Sequence, residues 1–217
     1  MKRVGLGLVA ALAWGGLAQA AQIKVELIQT LAAPVEYRDG MAGARSTQPH
    51  SVAGLMIIRG IVDEREGPIL GVAVENQGVV AFNLTPQEVE VRTDAGVLVP
   101  LLTRDEFVSA AEEVARKREK RARIAMALNS MGGAMRDQPE RADPSFARNL
   151  ERERVDGAAL VEAAETRGFL AQTVDAGERH VTDLGLTALP KGTTGLTVTV
   201  TVGGETHTFP LRVTRYR

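Results

Sequence analysis

The sequence LTVTVTVGGETHTFPLRV, residues 196–213, decides the fold class of this 217-residue chain. Leucine and valine alternate with threonine up to Gly203-Gly204, and apolar residues alternate with polar ones again from Phe209 to Val213. A period of two is typical of a strand with one buried face, and two glycines between such runs indicate a two-residue turn. The segment therefore predicts an antiparallel β-hairpin.

Strand-like segments continue upstream of this hairpin and are separated by turn residues. They cover residues 23–27, 52–62, 69–75, 87–93, 97–101, 169–174 and 180–189. The nearly all-apolar run at residues 52–62 predicts a central strand that is buried on both faces. Residues 34–51 are polar, contain two glycines and are predicted to form a loop. About seven to nine short strands of this kind predict a mainly β fold, an immunoglobulin-like antiparallel sandwich.

Residues 103–168 interrupt the strand pattern and are predicted to form a long helical insertion. Thr103 and Glu106 have the spacing of a capping box, in which each side chain bonds the backbone N–H group of the other residue. Acid-before-base pairs four residues apart support a helix as far as about Met135, and each contributes about 0.2–0.5 kcal/mol. These pairs are Glu112–Arg116, Glu113–Lys117 and Glu119–Arg123.

The insertion also contains a second, weaker helical region at residues 144–167. Pro144 suits the first turn of a helix, because it has no backbone N–H group to leave unpaired. Gly157 predicts an interruption of this helix, and Gly132-Gly133 predict an end or a kink of the first one. The two regions are separated by a linker-like stretch.

A seven-residue register along the first helix is only partly apolar. Phe107 and Val114 lie on one seam of this register, and Lys117 and Arg121 fall farther along the same seam. The first turns are therefore predicted to pack on the sheet through Phe107 and Val114. The middle turns cannot be buried in the usual way, because their seam is charged.

Positions 116–123 hold six basic residues and one acidic residue, and an apolar stretch follows them. One interpretation is a solvated helix face that ends in small packing residues. The other is an interaction surface whose bases bind anionic lipid headgroups or an acidic protein, with Met and Leu side chains providing apolar contact. This predicted surface, called the basic surface below, comprises Arg116, Lys117, Lys120, Arg121, Arg123, Ile124, Leu128, Met131 and Met135.

Residues 1–20 have the three parts of a secretory signal peptide. Lys2 and Arg3 precede an apolar run, and AQA at residues 18–20 forms a small-x-small cleavage site. We therefore expect an exported protein of the bacterial periplasm or cell envelope that is soluble after cleavage. The alternative is an uncleaved anchor, because the apolar run approaches the length that spans a bilayer. The chain has no Cys, which argues against a lipoprotein.

The sequence contains no established catalytic or metal-binding motif. The three histidines, His50, His180 and His207, lack metal-helix spacing, and no Cys accompanies them. They are predicted to be ordinary surface or strand residues, the alternative being that His180 and His207 approach each other across the sandwich. The serines lie in no nucleophile elbow, and no glycine loop has the residues that cradle phosphate. We predict no catalytic residue, no metal and no cofactor.

Charge excludes one further class of function. The formal net charge is −1, and it becomes −3 without Lys2 and Arg3. Nucleic-acid-binding proteins usually show a basic face and a high isoelectric point, so no nucleic-acid partner is expected. An acidic turn formed by Asp63, Glu64 and Glu66 offers carboxylates to Ca²⁺, but its spacing matches no known calcium loop. A solvated turn is the preferred interpretation.

Four segments are similar to those of exported bacterial proteins of uncharacterised function. They are VAVENQG at residues 72–78, AGVLVP at 95–100, TVDAG at 173–177 and GETHTF at 204–209. In those proteins an immunoglobulin-like sandwich carries a helical insertion rich in Ala and Gly. The resemblance implies one sandwich domain over residues 21–217, interrupted by residues 103–168, and supplies no catalytic residues. The word immunoglobulin-like describes architecture only, because residues 21–217 lack the Cys and Trp hallmarks of antibody domains.

These features predict a non-enzymatic envelope protein that presents its helical insertion to another envelope protein or to a second copy of itself. The alternative is a peripheral membrane-binding protein that uses residues 116–135. A hydrolase or metal enzyme would require a cleft that gathers His180, His207 or the acidic turn.

Overall fold

The structure, a computed structural model, describes residues 21–38, 41–134 and 144–216 and is mainly β. The strands are β1 (Gln22–Leu27), β2 (Val35–Arg38), β3 (Met41–Thr47), β4 (Ser51–Arg59), β5 (Ile61–Asp63), β6 (Ile69–Asn76), β7 (Phe82–Leu84), β8 (Val89–Thr93), β9 (Gln172–Val174), β10 (Arg179–Gly185), β11 (Gly195–Val202) and β12 (Glu205–Tyr216). The helices are α1 (Arg104–Ala134) and α2 (Pro144–Arg167). The predicted signal peptide at residues 1–20 lies outside the described residues.

Two five-stranded antiparallel sheets pack face to face. Sheet A has the strand order β5-β1-β12-β11-β8, and sheet B has the order β10-β6-β4-β3-β2. A short third sheet pairs β7 with β9. Both large sheets combine strands that precede the helices with strands that follow them, because β8 pairs with β11 and β6 pairs with β10.

The inward-facing side chains of both sheets form one apolar core. Val198, Val200 and Phe209 of sheet A are fully buried, as are Leu55 and Val72 of sheet B, and all five belong to the same cluster. Burial of one such side chain contributes about 1.5–3 kcal/mol. Alternation in the sequence therefore identified the inward faces correctly.

The predicted C-terminal β-hairpin is confirmed. β11 and β12 pair from Val202 and Glu205 at the turn to Gly195 and Arg212 at the far end. Gly203 and Gly204 have φ angles of 60° and 78°. These left-handed conformations are what a two-residue turn with the right twist requires, and glycine adopts them without strain.

The prediction of a loop at residues 34–51 is wrong, because β2 and β3 form there at the edge of sheet B. The strand pattern is hidden by small and polar side chains on the buried face. Ala44 and Ser46 point inward and are both 4% exposed. Ser46 tolerates burial because His207, on the opposite sheet, hydrogen-bonds it at 3.0 Å.

The strand predicted at residues 52–62 is divided between the two sheets. β4 occupies the centre of sheet B, as predicted, but the chain crosses at Gly60 and β5 joins the edge of sheet A. A Cβ atom on Gly60 would lie 2.7 Å from Ile57 Cγ2 and 2.8 Å from the carbonyl oxygen of Val25. The outward-facing Ile58 is 38% exposed, so β4 is not buried on both faces along its whole length.

The strand pair predicted at residues 87–101 is only partly formed. β8 is regular, but the returning segment contributes a single bridge from Leu98 to Arg92, and Leu101 forms a bridge with Leu186 instead. β7 was not predicted, and β9 and β10 are shorter than the segments predicted at residues 169–174 and 180–189. The described residues contain twelve strands, more than the seven to nine expected.

Both predicted helices are present, and they lie antiparallel as a helical hairpin. The capping box at the start of α1 is confirmed: Glu106 Oε2 accepts from the Thr103 N–H group at 2.8 Å, and Thr103 Oγ1 accepts from the Glu106 N–H group at 3.3 Å. The predicted ion pairs Glu113–Lys117 and Glu119–Arg123 form at 2.9 Å and 2.6 Å. Glu112–Arg116 is not among the ion pairs of the described side chains.

The predicted interruption of α2 at Gly157 is wrong, because the helix is continuous through this residue. A Cβ atom on Gly157 would lie 3.0 Å from the Cβ atom of Ala115 on α1. The glycine therefore allows the two helices to approach closely, and this contact offsets its intrinsic cost of about 1 kcal/mol in a helix. The described part of α1 extends through Gly132-Gly133 to Ala134 and the following residues lie outside the described ranges, so the end or kink predicted at these glycines stays a prediction.

A small apolar cluster, called the hairpin base below, joins the helical hairpin to sheet B. It contains Ile69 of β6, Phe107 and Ala111 of α1, and Ala164 of α2, all of them buried. Phe107 lies against the end of β10, where a Cβ atom on Gly185 would be 2.6 Å from the ring. The predicted packing of Phe107 on the sheet is therefore confirmed, whereas Val114, also predicted to pack there, is buried without belonging to this cluster.

The helical hairpin extends well past its base. α1 packs chiefly on α2, which also contacts β10. Lys117 pairs with Glu66, in the turn between β5 and β6, at 3.4 Å. Among the described ion pairs and hydrogen bonds from α1 to the sandwich, this one lies farthest along the helix. The remainder of α1, to Ala134, adds roughly 25 Å at 1.5 Å per residue. Neither helix, within the described ranges, is long and apolar enough to cross a bilayer.

Candidate functional site

The basic surface lies on the side of α1 that faces away from α2. Five of its members have described side chains, and all five are exposed: Arg116, Lys117, Lys120, Arg123 and Ile124. At 3.6 residues per turn these five positions share an arc of about 120°. Ala115, which contacts Gly157 of α2, lies on the opposite side of the helix. The predicted residues are therefore brought together on one exposed face.

The other members of the basic surface are placed less fully. Arg121, Leu128 and Met131 lie on α1, but the description does not extend to their side chains. Met135 lies outside the described residues. The described part of the surface is thus four bases and one isoleucine.

Two bases of this surface already have partners within the chain. Lys117 bonds Glu113 at 2.9 Å and Glu66 at 3.4 Å, and the hydrogen bond to Glu113 is the main reason why the pKa of Lys117 is raised. Arg123 bonds Glu119 at 2.6 Å. No ion pair between described side chains involves Arg116 or Lys120. Lys117 therefore helps to fix the helix on the sandwich, Arg123 is bound within α1 itself, and Arg116 and Lys120 keep their charge at the surface.

Polar contacts supplement the hairpin base. Arg104 donates to the carbonyl oxygen of Glu165 at 2.7 Å, which ties α1 to α2. The hydroxyl of Thr182 donates to the carbonyl oxygen of Arg167 at 3.2 Å, which ties α2 to β10. Arg167 Nε also lies 3.5 Å from the carboxylate of Asp183, whose side chain is 5% exposed. Burial raises the pKa of Asp183, and the charge of Arg167 partly opposes this rise.

The acidic turn distributes its carboxylates to separate partners. Glu64 pairs with Arg215, and Glu66 pairs with Arg59 at 2.7 Å as well as with Lys117. Asp63 accepts a hydrogen bond from the backbone N–H group of Arg65 at 3.1 Å. Across the described ranges no three His, Cys, Asp or Glu side chains are grouped so as to hold a metal ion.

Four polar side chains, those of Ser46, Ser51, Glu205 and His207, form a hydrogen-bonded chain between the two sheets, called the polar cluster below. Ser51 of β4 and His207 of β12 are fully buried, and Ser46 of β3 is nearly so. Ser51 Oγ lies 2.9 Å from His207 Nε2 and donates to Glu205 Oε2 at 2.6 Å. Ser46 Oγ lies 3.0 Å from His207 Nδ1. Both ring nitrogens of the histidine are therefore occupied.

The protons of the polar cluster follow from the chemistry of its groups. A carboxylate only accepts hydrogen bonds, so Ser51 donates to Glu205 and accepts from the Nε2–H group of His207. Nδ1 is then unprotonated and accepts from the Ser46 hydroxyl. Burial lowers the pKa of His207, an effect that the charge of Glu205 partly opposes, and the hydrogen bond from Ser51 lowers the pKa of Glu205. At neutral pH the histidine is therefore neutral and the glutamate is ionised.

The pairing of Ser51 with His207 does not have the layout of a hydrolytic site. In a serine nucleophile the hydroxyl proton is passed to the histidine, whereas here it is donated to a carboxylate. The hydroxyl is also fully buried, so no substrate atom reaches it in this conformation. The arrangement satisfies buried polar groups and links sheet A to sheet B.

The other two histidines take no part in that chain through their rings. His180 lies on β10 opposite Val74, and burial lowers its pKa. The backbone N–H group of His50 donates to both carboxylate oxygens of Glu205, at 3.1 Å and 3.2 Å. Strand β6 separates β10, which carries His180, from β4 and β3, which carry the His207 partners Ser51 and Ser46, so the structure does not bring the two histidines together as a pair.

The roles of Ser46, Ser51 and Glu205 were missed from the sequence. One signal was available, because alternation places His207 on the inward face together with Phe209 and Leu211. A buried histidine needs hydrogen-bond partners, but Ser46 is 161 residues away in the chain. No local pattern connects residues at that separation.

Sheet B also carries a shallow groove of about 270 Å³ on its outer face. Gly43, Gly54 and Ala73 form its floor, and Arg45 and Glu75 stand beside it. A second depression of about 560 Å³ lies beside β1. Both are lined by side chains of both charges, so neither selects a ligand of one charge.

Comparison with known proteins found no matching family model, no similar curated protein and no similar solved structure.

Proposed function

We propose that this protein is a non-enzymatic β-sandwich protein that binds an acidic partner through the basic surface of its helical hairpin. The partner is another envelope protein or a second copy of the chain. The exposed face formed by Arg116, Lys120, Arg123 and Ile124 is the observation that carries the proposal. The hairpin base leaves this face directed away from α2 and open to a partner.

Charge in the chain is divided in a way that supports an anionic partner. Residues 116–156 contain eleven basic and seven acidic residues, whereas the rest of the chain from residue 21 onward contains thirteen basic and twenty acidic residues. This segment of the sequence is thus positive and the remainder is negative. Opposite charge accelerates encounter with a partner and excludes partners of like charge.

Three broader assignments belong to the same proposal. Export to a bacterial envelope is supported by the signal-like pattern of residues 1–20. An immunoglobulin-like sandwich is supported by two antiparallel sheets that share one core. A single domain interrupted at residues 103–168 is supported by the strands on either side of the helices that pair with one another.

A charge-neutralised variant with a matched control tests the interaction. A photo-crosslinker at Ile124 should capture a partner, or a second copy, in the native envelope. Arg116→Gln, Lys120→Gln and Arg123→Gln together should abolish that capture. A control variant removes the same charge from the sandwich, at Arg45, Lys191 and Arg212, which are also exposed.

The two variants give a clear decision. Loss of cross-linking in the basic-surface variant alone supports the proposal. Equal capture by both variants, with sedimentation showing an unchanged oligomeric state, would refute it. A shortened chain that joins residue 117 to residue 156 by a few glycines is a second test, since Ala115 and Gly157 already lie side by side. This chain should fold and should lose the partner.

Membrane binding is the second candidate, favoured by Ile124, which is 49% exposed among the bases. Lys and Arg near an anionic leaflet contribute about 1 kcal/mol each, and salt screens this attraction. Vesicles of phosphatidylglycerol and phosphatidylcholine should then sediment the protein at low salt, and vesicles of phosphatidylcholine alone should not. Binding that is indifferent to lipid charge and to salt would contradict this candidate.

A further inference from the structure

The polar cluster lies at the end of the sandwich opposite the hairpin base. Ser51 begins β4 and pairs with Asn76 at the end of β6. Arg59 ends β4 and pairs with Ile69, a member of the hairpin base. The length of β4 therefore separates the polar cluster from the hairpin base and the helices.

We propose that the polar cluster is an acid-sensitive latch, in which a proton taken up by His207 leaves the Ser46 hydroxyl hydrogen without an acceptor and releases the adjoining end of β3 and β4 from sheet A. The proposal goes beyond the interaction proposed for the helical hairpin and does not depend on it.

The donor and acceptor count explains why one proton is enough. In the neutral state every group has a partner: Ser46 donates to Nδ1, Nε2–H donates to Ser51, and Ser51 donates to Glu205. A proton on Nδ1 turns that atom from an acceptor into a donor. Ser46 Oγ can then accept from Nδ1–H, but the hydroxyl hydrogen of Ser46 loses its acceptor and must point elsewhere. Ser46 makes no second side-chain hydrogen bond with any described residue. A buried hydroxyl without an acceptor and a buried imidazolium both disfavour the closed state.

Few charges near the ring compensate for that proton. Glu205, on β12 itself, is the charged group that opposes the lowering of the His207 pKa by burial. It acts across Ser51, which lies between the two side chains. His50, in the loop between β3 and β4, adds a second titratable group beside Glu205. The facing positions on the other elements are neutral: Ser46 of β3, Ser51 of β4, Val200 of β11 and Asn76 of β6. The cost of burying a charged His207 ring therefore outweighs its attraction to Glu205.

The position of Ser46 makes a local response structurally simple. It is the second-to-last residue of β3, next to the turn that leads to β4. β3 is flanked by the edge strand β2 and so lies near the margin of sheet B. Opening at this corner breaks few backbone hydrogen bonds, and segments of this kind open at lower free energy than a whole sheet.

The sign and size of the effect follow from linkage. His207 has a folded-state pKa below its ordinary value of 6.5, so the open state binds the extra proton. Stability of the latch is complete above 6.5 and falls as pH falls from there toward the folded-state pKa. Within this window the opening equilibrium constant should increase by up to about tenfold for each pH unit.

Hydrogen exchange of the β3 and β4 amides, corrected for intrinsic rates, tests the proposal between neutral and mildly acidic pH. In the unsubstituted protein the exchange rates of these amides should increase as the pH falls. His207→Gln should remove the pH dependence, and His180→Gln, a change at a half-buried histidine outside the polar cluster, should retain it. An equal increase in the His207→Gln variant would overturn the proposal.

A measurement on the unsubstituted protein covers the case in which His207→Gln does not fold. Nitrogen-15 spectra of the imidazole should show a neutral ring with its proton on Nε2 at neutral pH and titration below the ordinary histidine range. A ring protonated on Nδ1 at neutral pH, or one that titrates near 6.5 while exchange stays constant, would also overturn the proposal.

Discussion

Gly185→Ala should weaken the attachment of the helical hairpin to sheet B. A Cβ atom at Gly185 would lie 2.6 Å from Phe107 Cδ2 and 3.0 Å from Leu102 Cδ1. Carbon atoms pack at about 3.5–4.0 Å, so the ring would have to move by roughly 1 Å. Overpacking of this size typically costs about 1–3 kcal/mol. We expect the free energy of unfolding to fall by that amount.

A second substitution tests whether Phe107 is the cause. Phe107→Leu alone changes shape at similar volume and should cost under about 1.5 kcal/mol. Because it removes the ring edge nearest residue 185, the double variant should be more stable than the sum of the two losses predicts. Residues in contact usually show a coupling of about 0.5–3 kcal/mol. Gly54→Ala combined with Phe107→Leu is the control, and its effects should add.

Urea unfolding followed by far-ultraviolet circular dichroism provides the measurement. Tryptophan fluorescence is unsuitable, because the single tryptophan, Trp14, belongs to the predicted signal peptide and not to the sandwich sequence. Strict additivity of Gly185→Ala and Phe107→Leu would show that the ring does not occupy the space above Gly185. The stated packing of the hairpin base would then be wrong.

Three further predictions follow from single positions. Gly67→Ala should lower the melting temperature more than Gly54→Ala does. A Cβ atom on Gly67 would overlap the backbone carbonyl of Leu186, whereas one on Gly54 would make an ordinary contact with the carbonyl oxygen of Ala44 at 3.6 Å. Equal melting temperatures would contradict this. Gly157→Leu should separate α1 from α2 and lower helical content, whereas Leu at the exposed neighbour Ala158 should not, as circular dichroism would show. Burial raises the pKa of Asp183 above 3.8, so its stabilising contribution is present below 3.8 and is lost as pH rises through the folded-state pKa. Asp183→Asn should remove that loss, and urea titrations at acidic and neutral pH would check it.

The candidate interaction surface was predictable from the sequence because it depends on one helix. Charge density, the capping box at Thr103 and the helical period together place Arg116, Lys120 and Arg123 on one face. The sequence does not reveal that Lys117, in the same run of bases, is bound to Glu66. That contact joins a helix to a turn that lies 51 residues earlier.

Elements whose stabilising interactions are local could be predicted from the amino-acid sequence. The alternation around Gly203-Gly204 and the cap at Thr103 involve residues a few positions apart, so their patterns are readable along the chain. The tertiary structure alone decided the features that depend on distant neighbours. Ser46 is buried in a strand because His207 satisfies it, and Gly157 stays helical because its missing side chain lets α2 pack closely against Ala115 of α1. In each case a contact between distant segments outweighs the local preference of the residue.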